Sequence, residues 1–318
     1  MMSRWKLSIG SAGAIGRRKL KIDALPTTAY VMIGEGCVRN CAFCSQARES
    51  TTQSKFLSRV AWDAIPEEEA AAQLGAAFQA GKIKRVCLQV VNRPDSFQAI
   101  LRALEELRKY GPLPIVVSGY ITSVAEAKEL FARGAERIGL ALDVAEPELF
   151  SKIKGGSWQA RWELLCACAE AFPGKMTTHL IVGLGEKEVT MWKLIAECYK
   201  RKITVGLFAF TPLKGTKMAM VPPPDRGSYR RLQIALELLK QGVSIEQVVC
   251  DKQRIIAFNV CNLRQRLADG KAFLTSGCLD CNRPYYNEKP RDVLYNYHRP
   301  LSPEEVQQAL TESGVVGC

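Results

Sequence analysis

No run of about 18 apolar residues occurs anywhere in this chain, so nothing in it is expected to span a membrane as a helix. Histidine is nearly absent: His179 and His298 are the only two, and neither belongs to a recognisable pattern of nucleophile and base. Aromatic residues make up 8% and no nucleic-acid motif occurs, so the net charge of +12 points to an acidic protein partner ahead of nucleic acid, or to a solvated basic surface. Internal repeats and low-complexity tracts are also missing. A hydrophobic content of 47% against 24% charged excludes general disorder, and 318 residues suit one large α/β domain or a domain with an appendage. Twelve cysteines in that length are too sparse for a small secreted disulfide scaffold; clustered thiols in a large chain more often bind metal, which places the protein in a reducing compartment, the cytoplasm. Met1 to Ile15 has a superficial signal-peptide look, but its apolar part is weak and Arg17-Arg18-Lys19 follow at once.

From residue 27 onward, short β-branched runs alternate with amphipathic segments of helical length, the pattern of parallel strands joined by crossover helices. Ala29–Ile33, Arg85–Val91, Pro114–Ser118, Arg137–Leu142, Met176–Val182 and Thr204–Phe210 read as strands. Phe97–Lys109, Ser123–Arg133, Gln159–Ala171 and Lys187–Arg201 read as helices. Six such units predict an α/β fold with a parallel (β/α) TIM-type barrel, partial or complete; a doubly wound sheet is the alternative. Pro222-Pro223-Pro224 marks a rigid linker before a helix over Ser228–Gln241, after which the alternation weakens. The expected division is a basic N-terminal extension over 1–26, the barrel over 27–241 and a cysteine-containing C-terminal appendage over 242–318.

Three cysteines are spaced Cys37-x3-Cys41-x2-Cys44, with Phe43 before the third, just after the first expected strand. Thiolates on one short loop can hold three irons of a 4Fe-4S cube and leave the fourth free to bind and reduce a small molecule. A zinc knuckle and three unrelated thiols are the competing readings, although zinc usually takes four closed ligands.

The trio resembles the signature of radical S-adenosylmethionine (SAM) enzymes. That resemblance implies that the open iron chelates the amino and carboxylate groups of SAM. An electron from the cube then splits the sulfonium to give a 5′-deoxyadenosyl radical, while the protein positions the cofactor and excludes water. Over roughly residues 25–215 the chain resembles the biotin synthase-like branch, on Cys37 to Ala47, Leu142-Asp143 and the run Leu180 to Glu186. By this resemblance Asp143 bonds the ribose hydroxyls of SAM, Arg161 meets its carboxylate, Ile181 and Val182 lie against the adenine, and backbone near Phe43 reads the adenine edge. On the residues alone, Asp143 equally suits a helix N-terminus, Arg161 a solvated helix charge, and Ile181-Val182 strand core. Biotin synthase itself is not expected, because of the cysteines that hold its second cluster only the first has a counterpart, Cys87. The others fall near Val117 and at Thr177. Within its strand, Cys87 otherwise reads as a core residue.

The segment Thr275 to Glu288 carries Cys278-x2-Cys281, a half-site for iron or zinc. It resembles the C-terminal signature of the radical SAM proteins that work in pairs as lipoyl synthases. This implies an auxiliary iron-sulfur cluster at Cys278 and Cys281; a structural zinc knuckle and a redox dithiol stay open. Cys250, Cys261 and the terminal Cys318 are further ligand candidates, while Cys166, Cys168 and Cys198 read as small helical core residues. His179 is expected to be a core histidine unless it faces the barrel interior, and His298 to be exposed. Tyr285 and Tyr286 flank the second site, where a radical relay or simple packing of the tail accounts for them.

The function these features imply is a radical SAM sulfurtransferase that inserts sulfur into an octanoyl chain on a lipoyl carrier protein, consuming an auxiliary cluster. The implied partners are an acidic lipoyl carrier protein bearing an octanoyl-lysine, a second radical SAM lipoyl synthase protein and a reduced electron donor, with no nucleic acid and no membrane. A basic surface would steer such a carrier by salt-sensitive attraction. One alternative is another enzyme of the same branch, a carbon-skeleton mutase or a maturase acting on a small molecule. The other is an iron-sulfur electron-transfer or scaffold protein.

Overall fold

The computed structural model describes residues 4–289 and 292–315. The chain enters as a strand, β1 (Arg4–Ser8), with Trp5 and Leu7 in the core, followed by the short helix α1 (Ile9–Ala14). β1 lies antiparallel between β2 (Thr28–Ile33) and β4 (Val60–Pro66), and a two-residue strand β3 (Phe56–Leu57) pairs with β4. The expected extension over 1–26 is therefore corrected: two large apolar side chains alternating with Lys6 make it a sheet strand. The buried Lys6 amine meets the Glu35 carboxylate at 2.6 Å, beside the first cysteine.

Regular alternation follows: α2 (Glu67–Gln79), β5 (Arg85–Val90), α3 (Ser96–Arg108), β6 (Ile115–Ser118), α4 (Val124–Ala132), β7 (Arg137–Gly139), α5 (Pro147–Ile153), α6 (Trp158–Ala171), β8 (Met176–Val182), α7 (Glu188–Lys200) and β9 (Thr204–Ala209). β2 and β5 to β9 are parallel neighbours in that order. The whole sheet runs β3-β4-β1-β2-β5-β6-β7-β8-β9, with β3 and β9 at its edges, so the barrel is partial. Val31, Leu88, Val117, Ile138, Leu180 and Leu207, each fully buried, belong to the continuous core formed with helix residues such as Leu74, Leu104 and Leu130. That burial is why the parallel strands read as apolar runs.

β7 ends three residues short of the Arg137–Leu142 expectation. The Thr178 hydroxyl takes over there, donating to the Leu140 carbonyl at 2.8 Å and accepting from the Leu142 amide at 3.1 Å, so a side chain replaces the ladder. Pairing resumes at Asp143, whose amide donates to the His179 carbonyl and whose carbonyl accepts from the Ile181 amide, both at 2.8 Å.

After the three prolines, α8 (Arg226–Lys240) starts at Asp225, whose carboxylate accepts from the Ser228 amide at 2.7 Å. It packs against α7 and against α10 (Pro303–Ser313). The hairpin of β10 (Val248–Cys250) and β11 (Ile255–Phe258) and the single turn α9 (Leu263–Arg266) lie between them in the chain. Residues 275–288 are not an outlying appendage as expected. Ser276 accepts from the Leu207 amide at 2.8 Å and Asn287 donates to the Ala209 carbonyl at 2.7 Å, along the free edge of β9. Between them, Asn282 accepts from the Thr27 amide and the Asp280 carbonyl from the Thr28 hydroxyl, both at 3.0 Å, across the start of β2. A free edge leaves unpaired backbone groups, and this segment satisfies them. No helix among the described residues is long and apolar enough to cross a membrane.

Candidate active site

The cysteine loop leaves the C-terminal end of β2, the end where barrel folds gather their chemistry. It is fastened by the Val38 amide to the Asn92 carbonyl at 2.9 Å, by the Ala42 amide to the Ile153 carbonyl at 2.7 Å, and by the Arg39 guanidinium to the Gly155 carbonyl at 2.7 Å. Backbone N–H groups of Arg39 and Gln46 point at the sulfurs of Cys37 and Cys44, each at 3.4 Å. All three cysteines are free and partly buried. Burial pushes the Cys41 thiol up and the Cys44 thiol up to about 12, so both favour the protonated form in the metal-free chain. Three free thiols on one loop, two of them with an amide donor on the sulfur, fit an iron-sulfur cluster held by thiolates. Among the described residues no three His, Cys, Asp or Glu side chains converge as the ligands of a single ion do. Ligands of a cube bind different irons and stand farther apart.

Next to this loop, Asp143 has a left-handed backbone, φ 64°, imposed by the interrupted pairing of β7 with β8. Its carboxylate is buried and receives the Lys154 amine at 2.6 Å; that amine also donates to the carbonyls of Ala141 and Leu142. The helix-N-terminus alternative for Asp143 is thus not realised. Lys154 gave no signal in the sequence, because its role exists only once α5 folds back over the Asp143 turn. Arg161, on α6, lies over the Tyr120 ring at 4.3 Å and donates to the Ile121 carbonyl at 2.8 Å. It has no carboxylate partner among the described residues, and burial lowers its pKa, so it is not the solvated charge of the alternative reading. Phe43 and Ile181 line a common cavity with Asp143, but Val182 points the other way into the core between sheet and helices. The expectation for Val182 is corrected on strand alternation: 177, 179 and 181 face inward and 182 does not. At the turn after β8, the Glu186 carboxylate accepts from the amides of Gly183 and Leu184 at 2.8 and 2.9 Å. Gly183 has φ 100°, and a Cβ there would strike Pro224 at 2.9 Å, so only glycine fits.

The half-barrel encloses a cavity of about 530 Å³, and Cys44 lines it together with Cys87, Cys278 and Cys281. Cys87 is corrected from core to cavity: it follows Arg85 at the spacing of two that puts both on one face of β5. Cys278 and Cys281 are its neighbouring thiols, and burial raises its pKa. Tyr30, register partner of Cys87 on β2, has its hydroxyl 3.3 Å from the Cys281 sulfur. Burial raises the Cys278 thiol to about 11. Arg283 lies over the Phe208 ring at 3.8 Å and donates to the Ser276 carbonyl at 2.7 Å. Arg85 is buried, pairs with Glu136 at 2.6 Å, and keeps an Nε without a partner.

His179 also faces this cavity, edge-on to Phe208 with the ring centroids 4.9 Å apart, and burial holds its pKa down at about 4. The core-histidine expectation for it is therefore corrected. His298 is buried rather than exposed, 2.7 Å from Asp23. Tyr285 also donates to Asp23, which makes it a strap between the two ends of the chain. Tyr286, not Tyr285, turns its ring toward Phe208, 5.4 Å away between centroids. Cys250 sits on β10 among Glu188, Lys193 and Asp251, and Cys261 is exposed, so neither joins the thiols in the cavity. Cys318 lies outside the described residues. Cys168 and Cys198 are core residues as expected, and Cys166 is half-buried.

A partial parallel barrel with a three-thiol loop at the C-terminal end of its first parallel strand defines a class, and residues 31–198 match the radical SAM superfamily. The chain belongs to that superfamily, whose members bind a 4Fe-4S cluster and SAM. It is 27% identical over 206 residues to a biotin synthase from Synechococcus sp. (strain JA-3-3Ab), covering 62% of this chain and 64% of that protein. It is 28% identical to the ribosomal protein uS12 methylthiotransferase RimO of Syntrophobacter fumaroxidans, covering 69% of this chain and 50% of the relative. The matches thus span less than two thirds of those relatives. Methylornithine synthase (PylB) superposes with a TM-score of 0.52 at 13% identity, covering 97% of this chain and 86% of its own. The hydrogenase maturase HydG from Carboxydothermus hydrogenoformans gives 0.54 at 13%, covering 81% and 63%. These two establish the shared fold.

Proposed function

We propose that this radical SAM enzyme is a sulfurtransferase that inserts sulfur at unactivated carbons of an octanoyl chain carried on a lipoyl carrier protein. The observation that carries the reading is one cavity reached by Cys44 of the SAM-cluster loop and by Cys278 and Cys281, so that one chain of substrate can meet both. When bound, the first cluster with SAM supplies hydrogen-atom abstraction and a second cluster supplies sulfide. The residues present do the remaining work. Leu57, Val60, Ile181, Phe208, Phe210 and Leu213 give the cavity an apolar wall suited to an alkyl chain and exclude water. Asp143, fixed by Lys154, offers its second carboxylate oxygen to ribose hydroxyls, and Arg161 offers a desolvated guanidinium to the SAM carboxylate. Similarity to a protein named as a methylthiotransferase fits sulfur chemistry.

Basic residues at and beside the cavity lining support an acidic carrier. Arg59 lines the cavity, Lys55 precedes the neighbouring strand β3, and Lys214 follows Leu213, which also lines it. A reduced electron donor and a second radical SAM protein complete the proposed set. The experiment is anaerobic reconstitution followed by incubation with SAM, reductant and an octanoylated carrier peptide, read by mass. A gain of sulfur supports the proposal. Cleaved SAM with an unaltered peptide assigns the chain to a mutase or maturase of the same branch, and no SAM cleavage assigns it to electron transfer.

A further inference from the structure

The inner face of β5 carries two side chains that the chemistry assigned above leaves unused. Arg85 and Cys87 stand two residues apart on that face, at the opposite end of the strand from the cysteine loop. Cys87 is flanked in register by Tyr30 on β2 and Val116 on β6. Tyr30 reaches Cys281, and Gln89 donates to the Cys87 sulfur at 2.9 Å. The 278–281 turn is itself held to the β2 and β5 starts by Thr27, Thr28 and the Lys84 amine, which meets Asp280 at 3.0 Å. Strand and turn are therefore pinned to each other at their ends, with three thiols between them.

The charges around these thiols point to an anion. Arg283 has no carboxylate partner among the described residues, nor has Arg137, which donates to the Gly174 carbonyl and the Thr204 hydroxyl. Arg85 is only 4% exposed; Glu136 meets one of its terminal nitrogens at 2.6 Å and Asp280 lies 3.8 Å from the other, but its Nε donor has no partner among the described residues. A buried N–H with nothing to bond is costly unless a ligand answers it. Thiolate-ligated iron-sulfur clusters carry net negative charge, and their sulfurs accept hydrogen bonds.

We infer that Cys87 is the third thiolate of the auxiliary site, joining Cys278 and Cys281 around an iron-sulfur cluster at the end of the cavity lined by the start of β5, with the buried Arg85 directing its free Nε donor to it. This rests on the reading that Cys278 and Cys281 hold such a cluster. Three ligands from two distant parts of the chain make the cluster a cross-link between β5 and the C-terminal turn. One iron is left without a protein thiolate.

The test isolates this site by replacing Cys37, Cys41 and Cys44 together with alanine and reconstituting the full chain anaerobically with iron and sulfide. About four irons per chain are expected to remain, as for one 4Fe-4S cube. Adding Cys87→Ala lowers that at least fourfold, or converts the Mössbauer spectrum to that of a smaller cluster, whereas adding Cys250→Ala changes neither. Adding Arg85→Gln keeps the cluster but speeds its loss to a chelator several-fold. Unaltered circular dichroism of the iron-free Cys87→Ala chain separates lost ligation from lost folding; a misfolded chain is replaced by Cys87→Ser, for which an unchanged spectrum counts against the assignment. Full iron and an unchanged spectrum in a folded Cys87→Ala chain overturn it. If the starting chain without Cys37, Cys41 and Cys44 holds no iron at all, the second cluster falls and this assignment with it. A cluster retained here, together with no sulfur product from the chain that keeps Cys37, Cys41 and Cys44, would overturn only the proposed function.

Discussion

The Tyr30 phenol and the Cys281 thiol lie 3.3 Å apart although 251 residues separate them in the chain. The contact joins the first parallel strand to the turn that carries the second pair of cysteines. Burial raises the Tyr30 pKa well above its ordinary value, so the phenol stays protonated and can donate to sulfur. Tyr30→Phe removes that donor at nearly constant volume. The iron-free chain is expected to lose about 1 kcal/mol, the typical net worth of a buried hydrogen bond, measured by urea unfolding.

Cys41→Ala removes one corner ligand of the first cluster. Anaerobically reconstituted protein is expected to lose about four irons per chain and to release no 5′-deoxyadenosine from SAM. Retained SAM cleavage would show that Cys41 is not a ligand.

The Lys154 and Asp143 side chains are both nearly buried, at 11% and 12% exposure. Lys154→Met leaves a buried carboxylate without its counter-charge and is expected to cost about 3–5 kcal/mol. Lys154→Met combined with Asp143→Asn recovers most of that loss in the same unfolding assay. Only the single Lys154 variant keeps a carboxylate for SAM, so SAM binding by calorimetry separates the two roles.

His179 supplies a pH signature. Its folded pKa of about 4 lies below the ordinary value of 6.5, so the unfolded chain takes up the proton first as pH falls. The associated stability is fully present above pH 6.5 and is lost between there and about 4, by about 2–3 kcal/mol. His179→Leu is expected to flatten that part of the stability profile relative to the parent and to leave the profile above pH 7 unchanged.

Arg230 is fully buried on α8, pairing with Glu312 at 2.9 Å and donating to the carbonyls of Leu294 and Tyr295 at 2.6 and 2.7 Å. Arg230→Met leaves Glu312 only Arg226, 3.9 Å away, and takes the side-chain donor from the Leu294 carbonyl, while the Tyr295 carbonyl keeps Gln233 at 2.9 Å. A loss of about 3–5 kcal/mol is expected, with hydrogen exchange speeding first in α10 and residues 294–297. Equal acceleration throughout the chain would show that the C-terminal segment does not open separately.

Much of this molecule was legible in its sequence, and the rest was not, for identifiable reasons. The six parallel strands fall within a few residues of their apolar runs because each packs one face in the continuous core and, β7 apart, turns the other to an enclosed cavity, which keeps most of its residues apolar. The cysteine trio was legible because its three ligands lie on one loop, where spacing alone sets reach. β1 was missed because an antiparallel strand of five residues at a chain end carries little pattern, and its partners β2 and β4 lie far along the chain. Lys154, Tyr30 and Arg85 left no mark because their roles depend on which side chains face them, and one sequence does not record that.

By itself the sequence determined the parallel α/β layer, the first cluster loop and the presence of a second thiol pair, all set by local spacing and periodicity. Tertiary structure alone decided that the barrel stays open, that the C-terminal segment seals the β9 edge, that Val182 turns away from the cavity and that Cys87 turns into it. The physical reason is that strand alternation is known only once register is fixed. Register is fixed here by contacts such as Thr178 with Leu140 and Ser276 with Leu207, between residues 38 and 69 positions apart.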